Sequence, residues 1–261
     1  MMNVKVDAMR RAGSILGEVL GELAEAIHSG ITELEIDSLA EKLILKKGGL
    51  PGFKKVPGYH HAICISVNNV VVHGIPTQRT ISEGDIVGID CGVYLDGYHT
   101  DMAETIRVST KNEQLKTNNS NKEIEKFLEA GKNAMFAGIS KATAGNHIGD
   151  ISKAIQDIIE GAGYSVVRSL IGHGVGKKLH EEPEIPGYLT GSIGKTPNIS
   201  VGQTLAIEVI YNMGRPDVVY GSDDDWTIYT EDGSLSGLFE RTILVTDKGP
   251  EFITKLKSDK L

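Results

Sequence analysis

Ser82-Glu83-Gly84-Asp85-Ile86-Val87-Gly88-Ile89-Asp90 returns much later in the chain as Ser200-Val201-Gly202-Gln203-Thr204-Leu205-Ala206-Ile207-Glu208. Both copies pass through Ser-x-Gly into an apolar run, and both runs end in a carboxylate. The helical segments upstream align at nearly the same offset: Ile36 on Ile151, Leu39 on Ala154, Leu43 on Ile158 and Gly48 on Gly163. Chance can produce one such match. Two at nearly one offset indicate an internal repeat, and two copies are too few for a solenoid.

The flanking segments fill in each copy. Ile15, Val19, Leu20, Leu23 and Ile27 predict a helix over 4–29, ended by Gly30. Thr32 and Glu35 form a capping-box pattern ahead of a second helix with Ile36, Leu39, Ala40, Leu43 and Ile44 on one face. Strands are expected over 62–67, 70–73, 86–94 and 98–108, with Asp96-Gly97 as a two-residue hairpin turn. Residues 109–123 are polar and read as a connector. The pattern then restarts, with helices over 122–138 and after Gly145, and strands near 164–170, 203–212, 226–230 and 239–246. The expected fold is α/β (α+β): a single domain over 1–261 whose halves, about 1–110 and 122–250, repeat helix, helix and antiparallel strands.

Composition narrows the function. The 261 residues carry 27 Lys and Arg against 35 Asp and Glu, a net charge of −8, and 40% are hydrophobic. That supports a sizeable core and disfavours a general nucleic-acid binder, which needs excess positive charge. Cys64 and Cys91 alone cannot form a disulfide framework. No apolar run approaches the roughly 20 residues that span a bilayer. Residues 1–13 lack a signal-peptide stretch, so a cytoplasmic location is expected.

The repeated carboxylates are the first candidates for chemistry. With Asp96-Gly97 as the turn, Gly92 faces Asp101 and Asp90 faces Ala103. Asp90 and Asp101 then share a face as a diagonal pair, and converging carboxylates repel unless a cation lies between them. The alternative is two exposed acids on a hairpin. His173, flanked by Gly172 and Gly174, suits a loop where backbone must approach closely. His180 follows in the same segment, and His73 stands at a strand end. Any one of these histidines, taken alone, also reads as a satisfied structural residue. Glu240 enters a last apolar run, either as a further donor or as a surface acid paired with Arg241. Together, Asp90, Asp101, Glu208, Glu240 and one imidazole suit a two-metal site for Mn, Fe(II), Co or Zn.

These residues resemble type I methionine aminopeptidases, members of the pita-bread metallopeptidases. The matching pieces run in family order: Ser66-Val67-Asn68 through His73-Gly74-Ile75-Pro76, the Asp90 to Asp101 hairpin, Gly172-His173-Gly174 through His180-Glu181-Glu182-Pro183, Ile207-Glu208, and Asp232-Gly233-Ser234-Leu235-Ser236 through Glu240. The resemblance implies a pita-bread fold around a central curved sheet. It implies a dimetal enzyme that removes the initiator methionine of nascent chains, with a metal-bridging hydroxide as nucleophile. Asp101 and Glu240 would bridge two divalent ions, Asp90 would serve one, and His173 with Glu208 the other. Glu208 would also shuttle protons, while His73 and His180 would contact substrate. The methionine pocket would include Tyr59, Cys64, Leu179 and Trp226, although ordinary core is the alternative for Trp226. A monovalent cation is implied near the Asn68 and Val70 backbone and Ser236. The implied partners are N-terminal Met peptides and nascent chains near the ribosome, with no nucleic acid, no membrane and a monomeric state.

The chain departs from the family pattern at Val209, where Pro is usual, at Arg241, where His is common, and at His60-His61. Arg241 is expected beside the metals, where it would alter metal preference or the substrate path. The short interval between His180 and Glu208 leaves no room for the extra subdomain of type II enzymes. The chain is expected to start almost directly at the catalytic domain, without the longer type I N-terminal extension. Two other readings compete. A proline-directed relative would carry a large extra N-terminal domain, for which there is little room before His73. A non-catalytic binding module on the same fold would have lost metal donors.

Overall fold

The computed structural model describes residues 2–109, 119–221 and 224–260. Its helices are α1 (Met2–Ala26), α2 (Glu33–Lys46), α3 (Asn119–Lys141) and α4 (Ile148–Gly161). The first-half strands are β1 (Leu50–Pro51), β2 (Ile63–Val67), β3 (Val70–Val72), β4 (Ile86–Leu95) and β5 (Tyr98–Arg107). The later strands are β6 (Ser165–Val166), β7 (Ile171–Gly174), β8 (Glu181–Pro186), β9 (Thr204–Asn212), β10 (Val218–Tyr220), β11 (Ile228–Thr230), β12 (Ser236–Thr246) and β13 (Gly249–Phe252).

A ten-stranded sheet runs β1-β4-β5-β12-β9-β7-β8, with β2 added to β4, β6 to β9 and β13 to β12. Its ladders among the described residues are antiparallel. A smaller sheet runs β10-β11-β3. The Asp96-Gly97 turn forms as expected, with both residues at positive φ (49° and 91°), as a type I′ hairpin requires. The resulting register places Gly92 opposite Asp101 and Asp90 opposite Ala103. The capping box is also present: the Glu35 N–H donates to Thr32 Oγ1 and the Thr32 N–H donates to Glu35 Oε2.

The helices cover one face of the sheet. Leu16, Val19, Leu20 and Leu23 of α1 and Ile36, Ala40 and Ile44 of α2 pack on Val87, Ile89, Cys91 and Val93 of β4. Phe127 and Met135 of α3 and Ile151, Ile155 and Ile159 of α4 pack on Ile207, Val209 and Tyr211 of β9 and on Phe239 and Ile243 of β12. This burial drives the fold, and the alternation of each strand then dictates what faces the other way.

Three expectations are corrected. The connector over 109–123 falls partly on residues 110–118, which lie outside the described residues, and the chain is already helical from Asn119. The strand near 164–170 shrinks to Ser165–Val166. The segment around His173, read as a loop, is strand β7. Glycines mask strand propensity, but here they are needed for packing. A Cβ at Gly172 would lie 2.7 Å from the Ala206 carbonyl oxygen, and one at Gly174 would lie 2.2 Å from that of Glu182.

Candidate metal centre

The period of two sets the site. On β4, the residues at 87, 89, 91 and 93 face the helices, so Asp90 faces away from them. On β9, Leu205, Ile207 and Val209 face the helices, which turns Glu208 away. Phe239 and Ile243 do the same for Glu240 on β12, and Met102 does so for Asp101 on β5. Register then brings these residues together. Asp90 is opposite Ala103, Ala103 opposite Glu240, and Glu240 opposite Glu208, a row across four adjacent strands. Asp101 lies two residues from Ala103. His173 on β7 is opposite Ala206, two residues from Glu208.

One donor atom each from Asp101, His173 and Glu240 lies within 4.8 Å of the other two. His173 Nε2 is 3.9 Å from Glu240 Oε1. His173 Nδ1 is 2.9 Å from the Gly174 carbonyl oxygen. A carbonyl can only accept, so the ring proton sits on Nδ1 and Nε2 keeps its lone pair. Burial, and then the neighbouring His180, lower the His173 pKa to about 4, which keeps the ring neutral and able to ligate at pH 7. The two rings meet edge to face with centroids 4.4 Å apart.

The carboxylates are held where ionisation is costly. Burial raises the pKa of Asp101 to about 7, and burial with repulsion from Asp101 raises that of Glu208 to about 8. Burial and neighbouring carboxylates push Asp90 and Glu240 up as well. Asp90 Oδ1 and Glu240 Oε1 are buried without a hydrogen-bond partner. Such orphaned oxygens are costly in an apolar interior unless a cation meets them. Hard oxygen donors with one neutral imidazole fit divalent ions such as Mn, Fe(II), Co or Zn.

These five residues line a cavity of about 250 Å³, together with His73, His180, Tyr59, Cys64, Leu179 and Trp226. The residues expected from sequence as metal donors and substrate contacts therefore border the same space, whereas Asn68, Val70 and Ser236 do not line it. Phe53, Tyr59, Cys64 and Leu179 form an apolar cluster with Trp226 packed against it. The Tyr59 and Trp226 rings lie edge to face at 5.1 Å. Cys64 is paired in register with Asp90, so this apolar pocket adjoins the carboxylates directly. His73 follows β3 with φ at 57°, in the left-handed region that non-glycine residues seldom adopt. His180 is exposed at the mouth.

Sequence reasoning missed Phe53. Its ring fills the space over Gly92, where a Cβ would lie 2.9 Å from Phe53 Cε1, and the Gly52 N–H donates to the Gly92 carbonyl at 2.8 Å. A single turn of 3-10 helix, Phe53–Lys55, is too short to show periodicity. Ser169, Leu170 and Ile171 also line the cavity and carry no distinctive signal.

The expectation for Arg241 is corrected. Alternation turns its fully buried side chain to the helix-covered face, away from the donors. There it pairs with Glu104 at 2.5 Å and Asp259 at 2.6 Å. Val209 likewise faces the apolar core under α3 and α4. His61 bonds Asp37 at 2.9 Å, and Asp37 accepts the Ala62 and Ile63 N–H groups at the start of β2.

Comparison with known proteins fits this arrangement. Residues 7–247 match Metallopeptidase family M24. A methionine aminopeptidase of Clostridium perfringens (strain 13 / Type A) is 44% identical over 253 residues, covering 97% of both chains. The crystal structure of a methionine aminopeptidase from Thermotoga maritima superposes with a TM-score of 0.88 at 36% identity, covering 97% of both chains. The prolidase from Pyrococcus horikoshii OT3 shares the fold, with a TM-score of 0.73 at 22% identity, and the match covers 98% of this chain and 63% of that one.

Proposed function

The chain belongs to metallopeptidase family M24, and from that membership we infer how its site carries out the reaction of a methionyl aminopeptidase, the hydrolytic release of an N-terminal methionine. The observation that supports the assignment of residues is that five candidate donors, two of them with orphaned oxygens, line one cavity beside an apolar pocket. Asp90, Asp101, His173, Glu208 and Glu240 would hold two divalent ions. Bound divalent ions supply Lewis acidity: they lower the pKa of water and polarise a carbonyl.

The remaining work belongs to side chains. Phe53, Tyr59, Cys64, Leu179 and Trp226 receive the methionine side chain, a flexible apolar group suited to such a pocket. The width of that pocket limits the residue released. Glu208 takes a proton from water and delivers it to the departing amine. His73 and His180 donate hydrogen bonds to the substrate amide and to the oxygen that gains charge.

The physiological substrates in this reading are nascent chains near the ribosome, acted on by a cytoplasmic monomer. The chain acts as one catalytic domain of two related halves, supported by the pairing of β5 with β12. A monovalent cation near Asn68, Val70 and Ser236 fits the close approach of these segments, where the Ser236 N–H donates to the Asn68 carbonyl at 2.9 Å. Release of methionine from Met-Ala-Ser, compared with cleavage of Ala-Pro-Ala, tests the substrate reading. Mn(II)-dependent preference for Met-Ala-Ser is expected; preference for the proline peptide would overturn it.

A further inference from the structure

The seam between β5 and β12 joins the strand carrying Asp101 to the strand carrying Glu240. Glu240 is in register with Ala103, and Arg241 with Met102. On either side of these pairs, a threonine hydroxyl bridges the backbones. Thr105 Oγ1 accepts the Leu238 N–H at 2.9 Å and donates to the Leu238 carbonyl at 2.7 Å. Thr242 Oγ1 accepts the Asp101 N–H at 3.0 Å and donates to the Asp101 carbonyl at 2.8 Å. A hydroxyl has one proton and two lone pairs, so each threonine satisfies both polar groups of the residue opposite. Arg241 adds Nη1 bonds to the carbonyls of Ala103 at 2.9 Å and Glu240 at 2.8 Å.

The two bridges differ in what they hold. Leu238 belongs to an apolar cluster. Asp101 is a metal donor, and Thr242 grips both of its backbone polar groups from the strand that bears Glu240. Thr242 is fixed in turn: its N–H donates to Thr254 Oγ1 at 2.9 Å, and that hydroxyl also reaches the Asp101 carbonyl at 3.4 Å. Thr242 and Thr254 are fully buried, so water does not compete for these bonds.

We propose that Thr242 is a positioning residue: it sets Asp101 relative to Glu240, and so the spacing of two donors supplied by different strands. The proposal rests on the metal-centre reading above. Outer partners of metal ligands typically change affinity by about 10- to 100-fold when removed. Thr105 provides an internal control, because it makes the same pair of bonds on the same seam to a residue that is not a donor.

The test is Mn(II) titration calorimetry, thermal unfolding and steady-state kinetics on Thr242→Val, Thr242→Ser and Thr105→Val. Thr242→Val should bind Mn(II) about 10- to 100-fold more weakly and lose kcat with KM nearly unchanged. Thr242→Ser, which keeps the hydroxyl, should restore both. Thr105→Val should lose similar thermal stability and bind Mn(II) like the unaltered protein. Unchanged Mn(II) affinity in Thr242→Val, with matched stability losses in the two valine variants, overturns the proposal and leaves the metal centre standing. An unaltered protein that takes up no divalent ion overturns the metal reading and this proposal with it. If Thr242→Val does not fold, Thr254→Val removes the acceptor that fixes Thr242: weakened Mn(II) binding supports the proposal, and unchanged binding overturns it.

Discussion

Removing metal with a chelator should make the protein less stable as pH rises from 6.5 to 8. Asp101 moves from an ordinary pKa of 3.8 to about 7 on folding, and Glu208 from 4.5 to about 8. Between the unfolded and folded values, the folded protein binds more protons than the unfolded chain. Stability therefore falls with rising pH, and the loss is complete once pH passes the folded values. Below pH 6.5 the trend is blurred by His99 and His173, whose pKa values burial lowers to about 4. Those rings bind fewer protons when folded, so they contribute the opposite slope between about 4 and 6.5. At pH 6.5 an unfolded histidine is still half protonated, so these rings, with His73 and His180, which burial also lowers, oppose the carboxylate trend at the start of the interval and are neutral in both states by pH 8. Integrating the proton difference for Asp101 and Glu208 over pH 6.5–8 gives a loss of about 2 kcal/mol. Asp90 and Glu240, also raised, add to it.

Urea unfolding of the chelated protein at several pH values measures this directly. With a slope of about 3 kcal/mol/M, the contribution of Asp101 and Glu208 should lower the midpoint by roughly 0.7 M between pH 6.5 and 8. Added Mn(II) should reverse the trend, because metal binding improves as the ligands lose protons. A chelated protein whose midpoint stays level or rises over this interval would refute the account of a protonated, metal-seeking carboxylate cluster.

The same competition predicts that Mn(II) affinity and activity fall as pH drops below about 7, measured by calorimetry and methionine release across pH. Arg241→Met should cost about 3 kcal/mol or more in urea unfolding, because it strips the buried Asp259 and Glu104 carboxylates of their guanidinium; Lys132, 2.9 Å from Glu104, softens the loss. Phe53→Ala should cost about 3 kcal/mol and raise KM for Met-Ala-Ser, as the ring both fills the gap over Gly92 and walls the apolar pocket. His173→Ala and Glu208→Ala should each lower bound metal, read by elemental analysis, and reduce methionine release by at least about 100-fold.

The β4–β5 hairpin was legible down to register, because Asp96-Gly97 admits few turn geometries and a two-residue period then places every side chain. The alignment of Asp90 with Glu208 was legible for the same reason: a carboxylate closing an apolar strand stands out against its neighbours. Local pattern could not show which strands meet across the seam. The pairing of Glu240 with Ala103 and Glu208 depends on contacts far apart in sequence. β7 was hidden by Gly172 and Gly174, which read as loop residues although close strand packing demands them. Arg241 was misplaced because adjacency to Glu240 suggested proximity to the metals. One step along a strand reverses the face, and its ion pairs lie on the helix side.

The most direct test is an anomalous-scattering map from crystals grown with Mn(II). The account predicts Mn(II) density within ligand distance of Asp101, His173 and Glu240, with Asp90 and Glu208 completing the donor set. Fully active crystals with Mn(II) bound elsewhere, and none at this cluster, would contradict it.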